Sequence, residues 1–346
     1  VFSELQIKEK IHEECKSFLQ KNNGSGLSVA IFKNHIKMKT PYEEVFSFGQ
    51  ARRSSKTLVY DTTIYRLGPL SKIFTSLVLL KLLSENKMDI NEEAQMYLPK
   101  NFILPKPVKG TVSIEDLAYS VSGLSNHLTI PIKEYKASES DIKIYFKTIK
   151  QIKESKKKYE PSDLGFSCLN LMISNIKKKK YEDVLKEELF LPFDMKHSFF
   201  TLPLEKISKV ASGHKGIKEV REDFIEREGS FFKTSRGALS SILDIQKILR
   251  AFLSENQMGS IKYPKTLYGY RLIKPDLFQE ESCMGFTIKK LKRGKDFKVY
   301  VISSQHLGFS HFFALCPDLQ IGCAILSNSE YPVENLGIEL MEHLAQ

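Results

Sequence analysis

The run Tyr65-Arg66-Leu67-Gly68-Pro69-Leu70-Ser71-Lys72-Ile73-Phe74-Thr75 constrains this chain more than any other stretch. It passes from a strand-like apolar approach, through a Gly-Pro break, into an almost wholly apolar helix expected to end near Ser84. Proline suits a first helical turn, where its missing N–H would lack a partner anyway and its fixed φ matches the helix. A helix that is apolar all round must lie inside a large protein. Lys72, one turn into it, is then a buried ammonium that needs an anionic partner or a chemical task.

The chain has room for such a core. Its 346 residues suit one large domain or two interlocked ones. A hydrophobic content of 42% and a charged content of 27% are those of an ordinary globular protein. No apolar run reaches membrane-spanning length. Val1-Phe2-Ser3-Glu4 lacks a basic region followed by an apolar stretch. The expectation is therefore a cytoplasmic protein, or an exported one whose signal peptide is absent from this sequence. Oligomeric state is left open. Cys15, Cys168, Cys283, Cys316 and Cys323 show no CxxC or zinc-ligand spacing, so free, mostly buried thiols are expected, with no metal site and no cofactor. A formal charge of +11 raises a nucleic-acid or envelope-polymer reading. The lysines are spread out, however, and the runs 156–158 and 177–180 carry no interleaved aromatics. No specific nucleic-acid partner is expected, only weak affinity for polyanions.

Apolar spacing predicts a helix over residues 4–19, with Ile7, Ile11, Cys15 and Leu19 one turn apart. Strands are predicted at 27–32 and 44–49, and a mainly helical stretch from 71 to about 252. From Met284 the texture alternates, predicting strands at 285–291, 297–303, 310–315 and 320–326, then a last helix over 333–345. Terminal strands and helices around a helical middle imply an α/β (α+β) fold with an all-α insertion. The expected division is a discontinuous α/β domain, 1–70 with 256–346, and a helical domain, 71–255, with a cleft between them.

Several segments, in order, resemble those of the serine β-lactamase and penicillin-binding-protein superfamily. Its class C β-lactamase, esterase and D-Ala-D-Ala peptidase branch is the most similar. Gly26-Leu27-Ser28-Val29-Ala30 resembles the first sheet strand, and Asp61 through Gly68 the approach to the nucleophile. Ser122-Gly123-Leu124, Pro192-Phe193-Asp194-Met195, Gly308-Phe309 and Ser327-Asn328 follow in the family's order. The resemblance implies a β-lactamase/transpeptidase-like fold, an antiparallel sheet flanked by terminal helices plus a helical insertion.

It also implies three catalytic clusters, and here each is altered. The family's S-x-x-K places a nucleophilic serine and its lysine on one helical face. Lys72 is retained, but the serine position is Pro69, which removes a hydroxyl and a backbone N–H that the family uses in its oxyanion hole. The Y-x-N cluster falls on Pro161-Ser162-Asp163. The strand K-T-G or H-x-G falls on Ile302-Ser303-Ser304. Ser71, Tyr159 and His306 lie near these positions and are the candidate substitutes. Ser71 adjoins Lys72 and points about 100° away around a 3.6-residue turn. His306 lies an even number of residues from Ile302, on the same strand face. Asp163 is the expected partner of Lys72. The reading is a catalytically inactive, ligand-binding, scaffold or regulatory member, whose cleft accepts a peptide or carbonyl-bearing ligand. A weak serine hydrolase with a rearranged site is the alternative, and a polyanion- or envelope-polymer-binding protein the third.

Overall fold

The computed structural model describes residues 3–34, 40–124, 128, 136–149, 152, 159–220, 230–253, 271–273, 280–291 and 297–346. In chain order the first elements are α1 (Glu4–Lys21), β1 (Gly26–Lys33), β2 (Tyr42–Arg52), β3 (Thr57–Leu58), β4 (Ile64–Arg66) and α2 (Lys72–Ser84). The interior continues with α3 (Ile114–Ala118), α4 (Glu139–Thr148), α5 (Asp163–Lys177) and α6 (Tyr181–Leu185). Next come β5 (His214–Lys215), β6 (Lys218–Glu219), α7 (Lys233–Arg236), β7 (Leu239–Ser241) and α8 (Ile242–Leu253). The chain closes with β8 (Arg271–Ile273), β9 (Glu280–Cys283), β10 (Phe286–Lys290), β11 (Lys298–His306), β12 (Phe309–Cys316), β13 (Ile321–Ser327) and α9 (Glu334–Leu344).

Nine strands form one sheet in the order β3-β2-β1-β13-β12-β11-β10-β9-β8. Its pairings are antiparallel, so the first strand of the chain lies beside the last. Alternation along the strands separates two cores. Leu27, Val29 and Ile31 of β1 face one way and join Ile7, Ile11 and Cys15 of α1 with Leu336, Leu340 and Leu344 of α9. Ala30 and Phe32 face the other way, toward α8 and the helical interior. The α1 start is fixed by a capping box in which Ser3 and Gln6 satisfy each other's backbone N–H groups. α9 lies close on the sheet because a Cβ at Gly337 would fall 2.2 Å from the Phe312 ring.

The interior is mainly helical but also carries the strand pairs β4–β7 and β5–β6. α8, within it, packs on β1 and β13. The run 177–180 spans the α5–α6 junction: Lys177 ends α5 and pairs with Glu188, Lys178 closes the helix in the left-handed conformation, and Lys180 opens α6, with 178–180 exposed. Cys15, Cys168, Cys316 and Cys323 are free and buried, while the Cys283 side chain lies outside the described residues. Burial pushes the Cys316 thiol up to about 11, and the other three higher still, so all four are inert at neutral pH.

Candidate functional site

The Gly-Pro break forms a tight 3-10 turn, Gly68–Ser71, that leads directly into α2. Gly68 has φ +53, and a Cβ there would sit 2.7 Å from the His306 Cβ. Glycine is therefore required twice over, by backbone angle and by the close approach of β11. Pro69 occupies the start of the turn, where a missing N–H does no structural harm. Ten of the 13 residues of α2 are buried, Lys72 among them.

Three elements bring charge to this point. Lys72 Nζ lies 2.5 Å from Asp163 Oδ1, and Arg236 Nε lies 2.9 Å from Asp163 Oδ2. All three side chains are close to nine-tenths buried. Ser162 caps α5 by accepting the Gly165 N–H at 2.8 Å, which sets Asp163 in the first turn, where the helix dipole favours a carboxylate. Two aromatic faces complete the cage: Lys72 Nζ stands 5.3 Å from the Phe166 centroid, and Arg236 Cζ 4.5 Å from that of Phe232. Burial alone would raise the pKa of Asp163, but the positive charges of Lys72 and Arg236 outweigh it and hold the carboxyl below its ordinary value. Asp163 is thus ionised at neutral pH.

The hydroxyl next to Lys72 is turned away from it. Ser71 Oγ donates to the Gly68 carbonyl at 2.7 Å and accepts the Ala238 N–H at 3.2 Å. It fastens the turn to the end of the β4–β7 pair. Ser71 is 1% exposed, which leaves a substrate no approach to it. Tyr159 is half-buried against the main core, and Pro161 is exposed at the entrance to α5.

The third wall is β11, which runs beside the 68–71 turn. Tyr300 and Ile302 belong to the core on the helical side, so Ser304 and His306 share that face, and Ser303 is exposed on the other. Neither a cation nor a glycine stands at 302–304. His306 is half-buried against Gly68, and its charge lowers the Asp163 pKa in the same sense as Lys72 and Arg236. Directly across from Ser304 lies His311, whose Nε2 is 2.7 Å from the Arg66 carbonyl oxygen. Burial, with a smaller push from His306, brings the His311 pKa down to about 4. Its ring is therefore neutral, with the Nε2–H donating.

Lys72, Asp163 and His306, singled out in the sequence, thus converge. Arg236 does not announce itself there. A single arginine ahead of Gly237 in a lysine-rich chain has no spacing that links it to residue 163, and only tertiary contact does. Other stretches of the sequence also read S-x-x-K, among them Ser140-Asp141-Ile142-Lys143 and Ser212-Gly213-His214-Lys215, and these two lie apart: Ser140 is exposed on α4, while the second holds a fully buried His214, its Nδ1 2.9 Å from the Asn328 carbonyl oxygen. Among the described residues one group has metal-ligating chemistry, Glu14, Glu339 and His343, with ligand atoms within 4.8 Å of one another on the α1–α9 seam. No described helix is long and apolar enough to cross a membrane.

This architecture is similar to that of known proteins across nearly its whole length. A β-lactamase/D-alanine carboxypeptidase from Pseudomonas syringae superposes with a TM-score of 0.81 at 16% identity, over 98% of each chain. A class C β-lactamase in complex with cefoxitin gives 0.81 at 17%, over 99% of each. In sequence, a β-lactamase of Providencia stuartii is 24% identical over 259 residues, 75% of this chain and 62% of that protein. Protein flp of Staphylococcus aureus is 24% identical over 189 residues, 53% of this chain and 36% of its own length. These matches therefore span less than two thirds of either relative. The family model for Beta-lactamase matches residues 16–345. The chain belongs to the Beta-lactamase family, with the serine-hydrolase fold of the β-lactamase and penicillin-binding-protein superfamily.

Proposed function

We propose that this protein is a catalytically silent member of its family, a pseudoenzyme that uses the cleft beside Lys72 to bind a peptide or carbonyl-bearing ligand without cleaving it. One observation carries the reading: Lys72, which the resemblance matches to the lysine of the family's S-x-x-K, is held in a buried ion triad with Asp163 and Arg236. A lysine can deprotonate a nucleophile only if it can offer a lone pair to a nearby hydroxyl. Here Lys72 Nζ lies 2.5 Å from the carboxylate of Asp163, not against a hydroxyl. Pro69 supplies neither a hydroxyl nor the N–H that would steady an oxyanion. Losing one such donor typically costs about 10²–10³ in rate before the missing nucleophile is considered. The hydrolase alternative would use Ser71, which is buried and engaged in two hydrogen bonds, or another nucleophile of the chain.

The test is turnover against binding. Purified protein should release chromophore from nitrocefin and from p-nitrophenyl acetate no faster than buffer. Benzylpenicillin or an acyl-D-Ala-D-Ala peptide should give saturable, fully reversible heat on titration. Turnover that disappears in Lys72→Ala would overturn the proposal.

A further inference from the structure

A second surface lies away from the ion triad. Leu204–Lys209 is a short 3-10 turn with no buried residue. Leu204 is 84% exposed and Ile207 47%. In a 3-10 turn residues three apart eclipse, so Leu204 and Ile207 form one ridge and Lys206 and Lys209 another beside it. The turn is held firmly. Arg52 donates from Nε to the Val210 carbonyl and from Nη2 to the Ile207 carbonyl, each at 2.8 Å. Beneath it sits a small apolar cluster of Ile64, Val210 and Leu239, flanked by Phe199 and Leu202. Covering two adjacent aliphatic tips would remove apolar surface from water, which is favourable.

The surroundings are basic. Lys206 and Lys209 form no ion pair among the described residues. Burial and the charges of Lys206, Lys209 and Lys247 together hold the His197 imidazole below its ordinary pKa, against the pull of Asp244. Lys247 itself is engaged, by the carboxylates of Asp244 at 3.4 Å and Asp194 at 3.9 Å and by the Asp194 carbonyl oxygen. The carboxylates nearby are Glu205 on the turn, Asp194, which pairs with Lys196 at 3.1 Å, and Asp244, which is buried and receives the His197 N–H.

We infer that the Leu204–Lys209 ridge docks on an anionic lipid bilayer. The two aliphatic tips enter the boundary between headgroups and acyl chains, and the ammonium groups of Lys206 and Lys209 meet lipid phosphates. A soluble polyanion would engage the lysines but leave Leu204 and Ile207 in water. A protein partner would need an interface of about 800 Å² on each side, far more than two aliphatic tips offer.

The experiment is co-sedimentation of the full chain with vesicles of phosphatidylcholine alone and of phosphatidylcholine with phosphatidylglycerol. Binding is expected only with phosphatidylglycerol. Lys206→Glu with Lys209→Glu should lower the partition coefficient by about thirtyfold or more, and Leu204→Ser with Ile207→Ser by about tenfold or more. Lys178→Glu with Lys180→Glu on the α5–α6 turn changes the net charge equally and should leave binding intact. Far-UV circular dichroism confirms that each variant folds. No binding to phosphatidylglycerol vesicles at low salt overturns the inference. So does an unchanged partition for the Leu204/Ile207 variant, which would mark a polyanion site. An equal loss in the α5–α6 variant, the sign of a general charge effect, overturns it as well.

Discussion

Replacing Asp163 by asparagine removes one negative charge while keeping the side-chain shape. It leaves Lys72 and Arg236, whose side chains are 9% and 11% exposed, facing each other without their counter-ion. Breaking a buried ion pair by deleting one partner typically destabilises by about 3–5 kcal/mol, because the remaining charge has lost its water as well as its partner. Two such cations share this carboxylate, so the upper part of that range is expected. Urea denaturation at pH 7 measures it directly as a fall in midpoint at constant m-value. The pH dependence gives the sign. Asp163 has a folded pKa below its unfolded one, so its contribution is complete above the unfolded pKa, near 4, and is lost as pH falls through the folded value. The gap between wild type and Asp163→Asn should therefore be constant from pH 5 to 8 and shrink below pH 4. The triple variant Lys72→Met, Asp163→Leu, Arg236→Leu should recover most of the loss, since apolar replacement of a whole buried ionic group is often neutral. An Asp163→Asn protein within about 0.5 kcal/mol of wild type would refute the reasoning, because surface-like effects have that size.

Further outcomes follow from the same geometry. His311 has a folded pKa of about 4 against an ordinary 6.5, so it contributes about 3 kcal/mol of stability above pH 6.5 that drains away as pH falls toward 4; His311→Gln should flatten that part of a stability-versus-pH curve. Gly68→Ala should cost more than about 1 kcal/mol from its positive φ alone, and His306→Gly, which removes the Cβ lying 2.7 Å away, should relieve only the added steric part in a double-mutant cycle. Ser71→Ala should destabilise by about 1–3 kcal/mol, because the buried Ala238 N–H loses its acceptor. Pro69→Ser alone should stay inert toward penicillin, since Asp163 still holds Lys72, whereas Pro69→Ser with Pro161→Tyr and Asp163→Asn should gain slow acylation visible by mass.

Much of the framework was legible because periodicity records burial. The strand predicted at 27–32 is β1, that at 310–315 is β12, and the helix at 333–345 is α9, each within two residues. β5, β6 and β7 were not legible, since two or three residues carry no period and each strand exists only through its partner. The Lys72–Asp163 pairing could be foreseen because a buried cation must be neutralised, and residue 163 was the acid that the resemblance brought nearest. Arg236 could not, for its partner lies 73 positions earlier and nothing local marks it. Nor could the two hydrogen bonds of Ser71, which depend on where β7 delivers the Ala238 N–H.

The central claim is that no residue of this cleft attacks a carbonyl. Intact-mass measurement after prolonged incubation with benzylpenicillin, and separately with a fluorophosphonate, tests it most directly. The account predicts an unchanged protein mass in both. A stoichiometric adduct that maps to Ser71, or to any other serine lining the cleft, would contradict it.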